Sequence, residues 1–348
     1  APMVMVPLFY LCLKYKPKQT AIYLFFFGLG HFLSGLYWVY ISVHIFGGAP
    51  EWAAILLMFA LVTLMSSYFL IAGFIISYLC RHKKKYIIII GPSVWILIEW
   101  IRGWVFSGFP WLTSGYSQID SFLISFAPLL GVYGVSWILL FSSSSFLYFF
   151  MRKQKSIASL SLIFPYILGY LILPIDWTSS FGNSMPVEII QGGVAQDQKW
   201  KREQLQKTME IYRKATYESE DNTLIIWPEV AIPASTVYLK NYFQSMQEHL
   251  SDNNKTLAAG ALETIHNMEG SYNSFLYFNG TDTQHYRKRH LVPFGEYFPV
   301  PDFLREWMEM NNLPSFDLMH GEKNQSLIKY NDDINIAAAI CYEIAFGS

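Results

Sequence analysis

Three polar side chains that could support acyl chemistry each follow a short apolar stretch of the sequence. Cys341 ends the run 335–341, whose small and apolar residues predict a buried strand. Glu229 follows a second apolar stretch, and Lys288 ends a third predicted strand. A thiol nucleophile needs a proton acceptor, and acyl transfer also needs positive charge at the developing oxyanion. Three strand ends that offer Cys, Glu and Lys together therefore indicate a covalent acyl mechanism.

Each of these residues also has a plain structural interpretation. Cys341 could be a buried, inert thiol, as most free cysteines are. Glu229 could begin a helix, and Lys288 could belong to the solvated basic run 287–290. If the catalytic interpretation holds, a nearby ammonium is expected to lower the pKa of the thiol.

The elements that must position these side chains alternate between strand and helix patterns. Such alternation is typical of a layered α/β domain. Strands are predicted at 187–191, 223–227, 256–261, 272–278, 284–288 and in the run ending at Cys341, and helices at 197–219 and 236–250.

The charges divide the chain into two different halves. Residues 1–173 hold 11 Lys or Arg and 3 Asp or Glu, whereas residues 174–348 hold 14 and 23. The net charge of -1 therefore combines a half at +8 with a half at -9. This asymmetry predicts a membrane part followed by a soluble, acidic part.

Five segments of the first half are apolar enough to cross a bilayer, which takes about 20 residues. A very apolar soluble bundle is the alternative, but the charge-free runs 52–80 and 121–151 disfavour it. Residues 1–13 look like part of one more span, and the chain is expected to be a fragment, cut at both ends. The predicted spans are 20–46, 52–80, 86–104, 121–151 and 156–173.

Basic residues occupy alternate loops between these segments. They occur at 14–18, 81–85 and 152–155, whereas the intervening loops carry Glu51, Asp120 and Asp176. Since positive residues stay on the cytoplasmic side, the last span should deliver the acidic half to the outer face.

One predicted span contains two charges, Glu99 and Arg102, which lie on the same face of a helix. Intramembrane charges are usually functional, which would make them part of a site. Alternatively, they are a paired, snorkelling couple that anchors the helix and the following turn 108–111.

Several other functions are disfavoured by the sequence. The three cysteines contain no C-x-x-C pair, the histidines show no H-E-x-x-H spacing, and no G-x-S-x-G elbow occurs. No metal or cofactor is therefore expected. Nucleic-acid binding does not fit an acidic domain beyond a membrane.

Six short motifs together resemble the apolipoprotein N-acyltransferase family of the nitrilase (carbon–nitrogen hydrolase) superfamily. They lie in both halves of the chain, so the resemblance covers nearly all of it. The motifs are 99–102 (EWIR), 106–111 (FSGFPW), 115–118 (GYSQ), 227–229 (WPE), 287–296 (RKRHLVPFGE) and 340–343 (ICYE).

This resemblance implies a multi-span α-helical membrane bundle followed by an α-β-β-α sandwich. Residues 1–173 would be the membrane domain, 174–185 a linker, and 186–348 a catalytic domain that is incomplete at its C-terminus. Matched motif by motif, Glu229 would be the general base, Lys288 would stabilise the tetrahedral intermediate, and Cys341 would be the nucleophile. The supporting or substrate-binding residues would be Trp200, Glu296, Tyr342 and Glu343.

The implied reaction has two steps and two lipid substrates. A phospholipid would donate an acyl chain to the thiol, and the α-amine of a diacylated apolipoprotein would accept it, with ping-pong kinetics. The enzyme would lie in the bacterial inner membrane with its catalytic domain on the periplasmic side. Two rivals are a membrane-tethered amidase, which would use the same triad with water as acceptor, and a transporter or scaffold with an outer binding domain.

Aromatic residues between 291 and 316 could form an apolar lid that excludes water from the acyl-enzyme. They could equally pack their own loop or rest among lipid headgroups, where Trp and Tyr are common. The residues in question are Phe294, Tyr297, Phe298, Phe303, Trp307 and Phe316, together with Trp200.

Overall fold

The protein is described by a computed structural model. The structure describes residues 2–180, 182, 184–265, 270–280, 282–293, 295–298, 302, 305–306, 310 and 317–346. The chain forms two compact units. The N-terminal unit is Ala1–Ile45 with Pro50–Ser180, and the C-terminal unit is Phe46–Ala49 with Phe181–Ser348.

The N-terminal unit is helical. Its buried core includes Leu24, Phe32, Phe69 and Ile76, which pack α2 along α4. The helices are α1 (Pro2–Lys14), α2 (Pro17–Leu36), α3 (Trp38–Ile41), α4 (Glu51–Cys80), α5 (Ile87–Arg102), α6 (Ala127–Met151) and α7 (Lys155–Ile172).

Four helices among the described residues are long and apolar enough to cross a membrane. They are α2, α4, α7 and the stretch Phe122–Met151, in which a 3₁₀ turn runs into α6. The predicted span at 86–104 forms α5, which has only 16 residues. At 1.5 Å per residue it reaches about 24 Å, short of a hydrocarbon core of about 30 Å. The count of five full spans stays a prediction.

Glu99 and Arg102 are buried at the end of α5, with 2% and 1% of their surface exposed. Glu99 Oε1 accepts hydrogen bonds from Trp95 Nε1 (3.1 Å) and from the Ser114 backbone N–H (3.1 Å) and hydroxyl (2.7 Å). Arg102 donates to the Trp111 carbonyl (2.6 Å). These bonds hold the segment 111–114 against α5. They favour the anchoring interpretation, although the two side chains are buried rather than snorkelling.

The C-terminal unit contains a five-stranded mixed sheet with the order β1-β2-β3-β4-β5. Its first three strands are parallel, and β3, β4 and β5 are antiparallel neighbours. The strands are β1 (Val187–Ile189), β2 (Leu224–Ile226), β3 (Thr256–Thr264), β4 (Ser271–Asn279) and β5 (Asp282–Arg287). The helices are α8 (Gln196–Lys199), α9 (Arg202–Glu218) and α10 (Lys240–Asp252), and the small strands β6 (Ile328–Lys329) and β7 (Asn335–Ile336) pair with each other.

The two faces of the main sheet are covered differently, as the alternation along β4 shows. Leu276 and Phe278 pack on the side of α9 and α10, in one core cluster with Tyr212, Phe243 and Met246. Tyr277 points the other way and packs with residues around β6 and β7, including Ile328 and Ile340. Helices, a mixed sheet and a second small sheet are therefore stacked in layers. The expected fold class, an apolar helical part followed by an α/β nitrilase-like domain, is confirmed.

The strand predicted to end at Cys341 is shorter than expected. Only Asn335–Ile336 pairs, and Cys341–Ala345 forms a 3₁₀ helix instead. Ile340 keeps an extended backbone, but its N–H donates to the side chain of Glu343 (2.9 Å) rather than to a neighbouring strand. A local side-chain acceptor has therefore replaced a ladder partner.

Candidate active site

Glu229 lies three residues beyond the end of β2, on a segment that stays attached to β3. The Trp227 N–H donates to the Ala258 carbonyl (2.8 Å), and the Ala231 N–H donates to the Gly260 carbonyl (3.0 Å). A Cβ on Gly260 would lie 2.5 Å from the Pro228 carbonyl oxygen and 2.6 Å from Glu229 Cα. Only glycine allows β3 to approach the segment that carries this carboxylate so closely.

Lys288 follows β5 directly, and its ammonium lies between two carboxylates. Its Nζ is 3.4 Å from Glu229 Oε1 and 2.9 Å from Glu296 Oε2, and the side chain is 1% exposed. Burial acts to lower the pKa of Lys288, but Glu296 and Glu229 outweigh it, so the pKa is raised. The buried lysine is therefore charged at neutral pH.

Asn273, in the middle of β4, joins the same two carboxylates. Its Nδ2 donates to Glu229 Oε1 (2.6 Å) and to Glu296 Oε1 (2.8 Å). The Asn273 carbonyl also accepts a hydrogen bond from the Lys288 backbone N–H (2.8 Å). This backbone bond keeps the side chains of Asn273 and Lys288, which bind the same two carboxylates, next to each other. Glu296 is held in turn by the Val292 N–H (2.8 Å). Glu229 is thus oriented by both a cation and an amide.

Cys341 begins the short 3₁₀ helix with a left-handed backbone, φ +51°. This conformation is uncommon for residues other than glycine and costs energy. The residue is exposed, and the charges of Glu229 and Lys288 both act on its thiol. Partial burial raises the pKa of Cys341, Glu229 raises it further by charge and by a hydrogen bond, and Lys288 only partly offsets them. The resting thiol is therefore protonated at neutral pH and needs a base to ionise it.

Glu343 fixes the turn that presents this cysteine. Its Oε1 accepts from the Arg289 N–H (2.7 Å) and the His290 N–H (3.0 Å), and its Oε2 accepts from the Ile340 N–H (2.9 Å). The Tyr286 hydroxyl adds a fourth donor at 3.0 Å. A carboxylate that accepts from four donors has a structural role. Here Glu343 connects the turn that carries Cys341 to the segment that follows Lys288.

The site therefore combines a nucleophile, a carboxylate and a buried ammonium. Two family models match the chain. The model described as "Apolipoprotein N-acyltransferase N-terminal domain" matches residues 1–145, and the one described as "Carbon-nitrogen hydrolase" matches residues 189–348. Similar curated proteins, each named apolipoprotein N-acyltransferase, cover both matched regions. The protein of Photobacterium profundum is 32% identical over 99% of this chain and 68% of its own length. The protein of Methylococcus capsulatus is 33% identical over 100% of this chain and 69% of its own length.

The chain belongs to the apolipoprotein N-acyltransferase family.

The residues expected from the resemblance to the apolipoprotein N-acyltransferase family fall into two groups. The structure brings together Cys341, Glu229, Lys288, Glu296 and Glu343, as described above. Trp200 ends α8 and is 58% exposed, while the Tyr342 ring lies against Phe346, with centroids 4.9 Å apart. The exposed position of Trp200 leaves it available for substrate contact. A supporting or substrate-binding role for either residue stays a prediction.

The predicted lid falls largely outside the described residues. Phe294, Phe303, Trp307 and Phe316 are among those that the structure does not describe. Of the remaining members, Tyr297 stacks edge-on against His320, with centroids 5.2 Å apart, and the Phe298 N–H donates to Asp317 (2.9 Å).

Two further residues at this site were not identified from the sequence. Asn273 stands in a strand rich in aromatic residues, and a polar residue at a buried strand position is a signal that could have indicated it. Lys199 Nζ donates to the Glu229 carbonyl oxygen (3.3 Å). Partial burial lowers the pKa of Lys199, and Glu229 offsets only part of this. Nothing in its sequence context distinguished Lys199 from the other lysines nearby.

Proposed function

We propose that the protein transfers an acyl chain from a phospholipid to the α-amine of a diacylglyceryl-cysteine at the N-terminus of a lipoprotein, through a thioester on Cys341. This would be the last step of bacterial lipoprotein maturation. The observation that carries the proposal is the buried Lys288 ammonium between Glu229 and Glu296, beside a thiol whose pKa is raised. Four helices of membrane length in the same chain favour lipid substrates.

The first step forms the thioester. Glu229 takes the thiol proton, and the sulfur attacks the ester carbonyl carbon of the phospholipid. Lys288 stabilises the oxyanion of the tetrahedral intermediate. The carbon–oxygen bond then breaks, Glu229 returns the proton to the leaving oxygen, and a lysophospholipid departs.

The second step passes the acyl group to nitrogen. The neutral α-amine of the diacylated lipoprotein attacks the thioester carbonyl, and Glu229 takes a proton from the attacking nitrogen. The carbon–sulfur bond breaks, the Cys341 sulfur recovers a proton, and an amide is released. Two half-reactions that share one base and one cation produce ping-pong kinetics.

We extend the proposal to the organisation of the chain. Residues 1–173 form the membrane domain, 174–185 a linker and 186–348 the catalytic domain, which lies on the periplasmic side of the inner membrane. The alternation of basic and acidic loops supports this orientation, and the boundary between the two compact units supports the division.

Substrate contacts complete the proposal. Trp200 and Tyr342 contact lipid next to the triad. The exposure of Trp200 at the end of α8 supports its share of this role. Its neighbour Lys199 already bonds the backbone of Glu229, which links α8 to the base.

The lifetime of the acyl-enzyme tests the reaction type. The thioester is formed with phospholipid alone and followed by intact mass, with and without a diacylated lipopeptide. Persistence without lipopeptide and rapid discharge with it are expected. Prompt discharge by water, indifferent to the lipopeptide, would identify an amidase-like hydrolase, and an unmodified mass would leave the scaffold interpretation.

Substitutions test the roles within the triad. Cys341→Ala should abolish the acyl adduct, and Lys288→Met should slow its formation by about a hundredfold or more. The matched control is Lys255→Met, which removes another buried lysine, one that binds the carbonyls of Tyr217 and Ser219. The control should lower stability but leave the rate per folded molecule unchanged. A normal acylation rate in Lys288→Met would remove lysine from the mechanism.

A further inference from the structure

Four cations are among the six residues that line a concave site in the N-terminal unit. The cavity measures about 360 Å³ and lies where the loop before α5 meets the end of α6. The Ser144 hydroxyl donates to the Ile88 carbonyl (3.2 Å), which shows that these two helix ends are neighbours. The lining residues are Lys83, Lys84, Lys85, Tyr148, Met151 and Arg152.

Among the described residues 2–180, no carboxylate lies near this cluster. The carboxylates within residues 2–180 are Glu51, Glu99, Asp120 and Asp176. Glu51 begins α4, a helix of 30 residues and so about 45 Å from Lys83, and Glu99 lies near the far end of α5. Asp120 precedes α6 and Asp176 follows α7, again at the opposite helix ends. Distances of this size exceed a Debye length of about 10 Å, so these four carboxylates do not relieve the repulsion within the cluster.

The side chains that line the cavity are partly preorganised. Arg152 donates to the Tyr148 hydroxyl (3.1 Å) and lies over the Tyr148 ring at 5.8 Å. Lys83 and Lys85 both lie near the Tyr86 ring, at 6.0 and 5.9 Å. Aromatic faces hold these cations around the cavity rather than letting them disperse.

The surroundings of the cavity are apolar and exposed. Ile89 on α5 and Phe150 on α6 are each 53% exposed, and Met151 belongs to the lining itself. A soluble anion would use the cations and leave these surfaces uncovered. A phospholipid would use both, with its phosphate in the cavity and its chains along the helices.

We propose that this cavity binds the headgroup of an anionic phospholipid. The four cations contact the phosphate diester, and Tyr148 contributes a hydroxyl. Zwitterionic headgroups are disfavoured because their own ammonium would join a cluster that is already fourfold positive. The cavity shares no residue with the candidate active site, and its proposed ligand does not depend on the proposed reaction.

Lipid retention by the full chain tests this proposal. Purified protein in a neutral detergent is mixed with equal amounts of phosphatidylglycerol and phosphatidylcholine, and bound lipid is counted by native mass spectrometry. Wild-type protein should retain phosphatidylglycerol preferentially. Lys85→Gln combined with Arg152→Gln should weaken this retention by about tenfold or more, since each basic residue near an anionic headgroup contributes a substantial attraction.

The matched control removes two charges from another basic loop, by Lys16→Gln combined with Lys18→Gln. This variant should retain phosphatidylglycerol as the wild type does. Equal losses in both variants, or no preference in the wild type, would overturn the proposal and leave the cluster as a general orientation signal. A headgroup-photoactivatable phosphatidylglycerol gives a second measurement on unaltered protein: crosslinks should map to 83–86 and 148–152, and crosslinks elsewhere would contradict the site.

Discussion

At the scale of single residues, the charge of Glu229 disfavours ionisation of the Cys341 thiol, although Glu229 is the base proposed to deprotonate it. Lys288 acts to lower the pKa of Cys341, as the sequence led us to expect, but partial burial and Glu229 have the larger effect. The ammonium acts in the direction that the sequence predicted, but the pKa of the thiol is raised overall. A cysteine that remains protonated at rest is protected from nonspecific reaction and becomes nucleophilic when Glu229 takes its proton.

Because Glu229 both raises the pKa of Cys341 and is the proposed base, Glu229→Gln should have opposite effects on thiol alkylation and on acyl transfer. Removing the charge removes one cause of the raised pKa, so a larger fraction of Cys341 should be thiolate at neutral pH. Alkylation by iodoacetamide should therefore become faster, while acyl transfer falls by about a hundredfold or more because the base is lost. In wild-type protein the alkylation rate should still rise with pH above about 8.5, where an unperturbed thiol is already half ionised. Slower alkylation in the variant would contradict the assignment of Glu229 as the neighbour that raises this pKa.

Asn273 should act through Glu229 and not on substrate. Asn273→Ala removes an amide donor from both Glu229 and Glu296, so the proposed base loses one of the two groups that orient it. The acylation rate per folded molecule should therefore fall, while the KM for phospholipid stays unchanged. Ser274→Ala is the control, because Ser274 donates to Glu263 instead and is equally buried on the same strand. An unchanged acylation rate per folded molecule in Asn273→Ala, with only a loss of stability, would indicate a purely structural residue.

At the scale of elements, the position of the base depends on a close approach between β3 and the segment after β2. Gly260→Ala should displace that segment, because the new Cβ would meet backbone atoms that have little room to move. Overpacking of this kind costs about 1–3 kcal/mol. Both the midpoint of thermal unfolding and the acylation rate should fall.

Gly295→Ala is the comparison for this prediction. Gly295 lies in the segment that carries Glu296, and a Cβ there would meet its neighbours only at 3.4 Å or more. The variant should fold and acylate normally. Equal damage from both substitutions would show that glycine flexibility, and not the approach to Glu229, is what the site requires.

The sequence predicted most elements of the sheet because apolar runs of β-rich composition are a local signal. β1 to β5 all occur where they were expected, within a few residues. The last strand was predicted too long, because no pattern reveals that Glu343 would accept the Ile340 N–H. The predicted helix 197–219 is divided at Lys201, whose extended backbone (ψ 134°) separates α8 from α9. The missed partner Asn273 reaches Glu229 only through strand pairing, which is a long-range property.

At the scale of the whole molecule, the charge asymmetry predicts which side of the membrane each part occupies. A membrane-impermeant thiol reagent should label Ser180→Cys in intact cells and should not label Lys83→Cys. Both variants are made on a Cys341→Ala background, because Cys341 is exposed whereas Cys12 and Cys80 are buried. The reverse pattern would overturn the periplasmic assignment, and labelling of both after permeabilisation shows that both probes are reactive.

The four bonds to Glu343 also determine the order in which the site is assembled. Their donors include Arg289 and His290, which lie 54 and 53 residues earlier in the chain. Glu229, Lys288 and Glu296 are all synthesised before Cys341, so the cation and its carboxylates can associate while the nucleophile is still missing. A newly made molecule therefore acquires its base and its cation before its nucleophile.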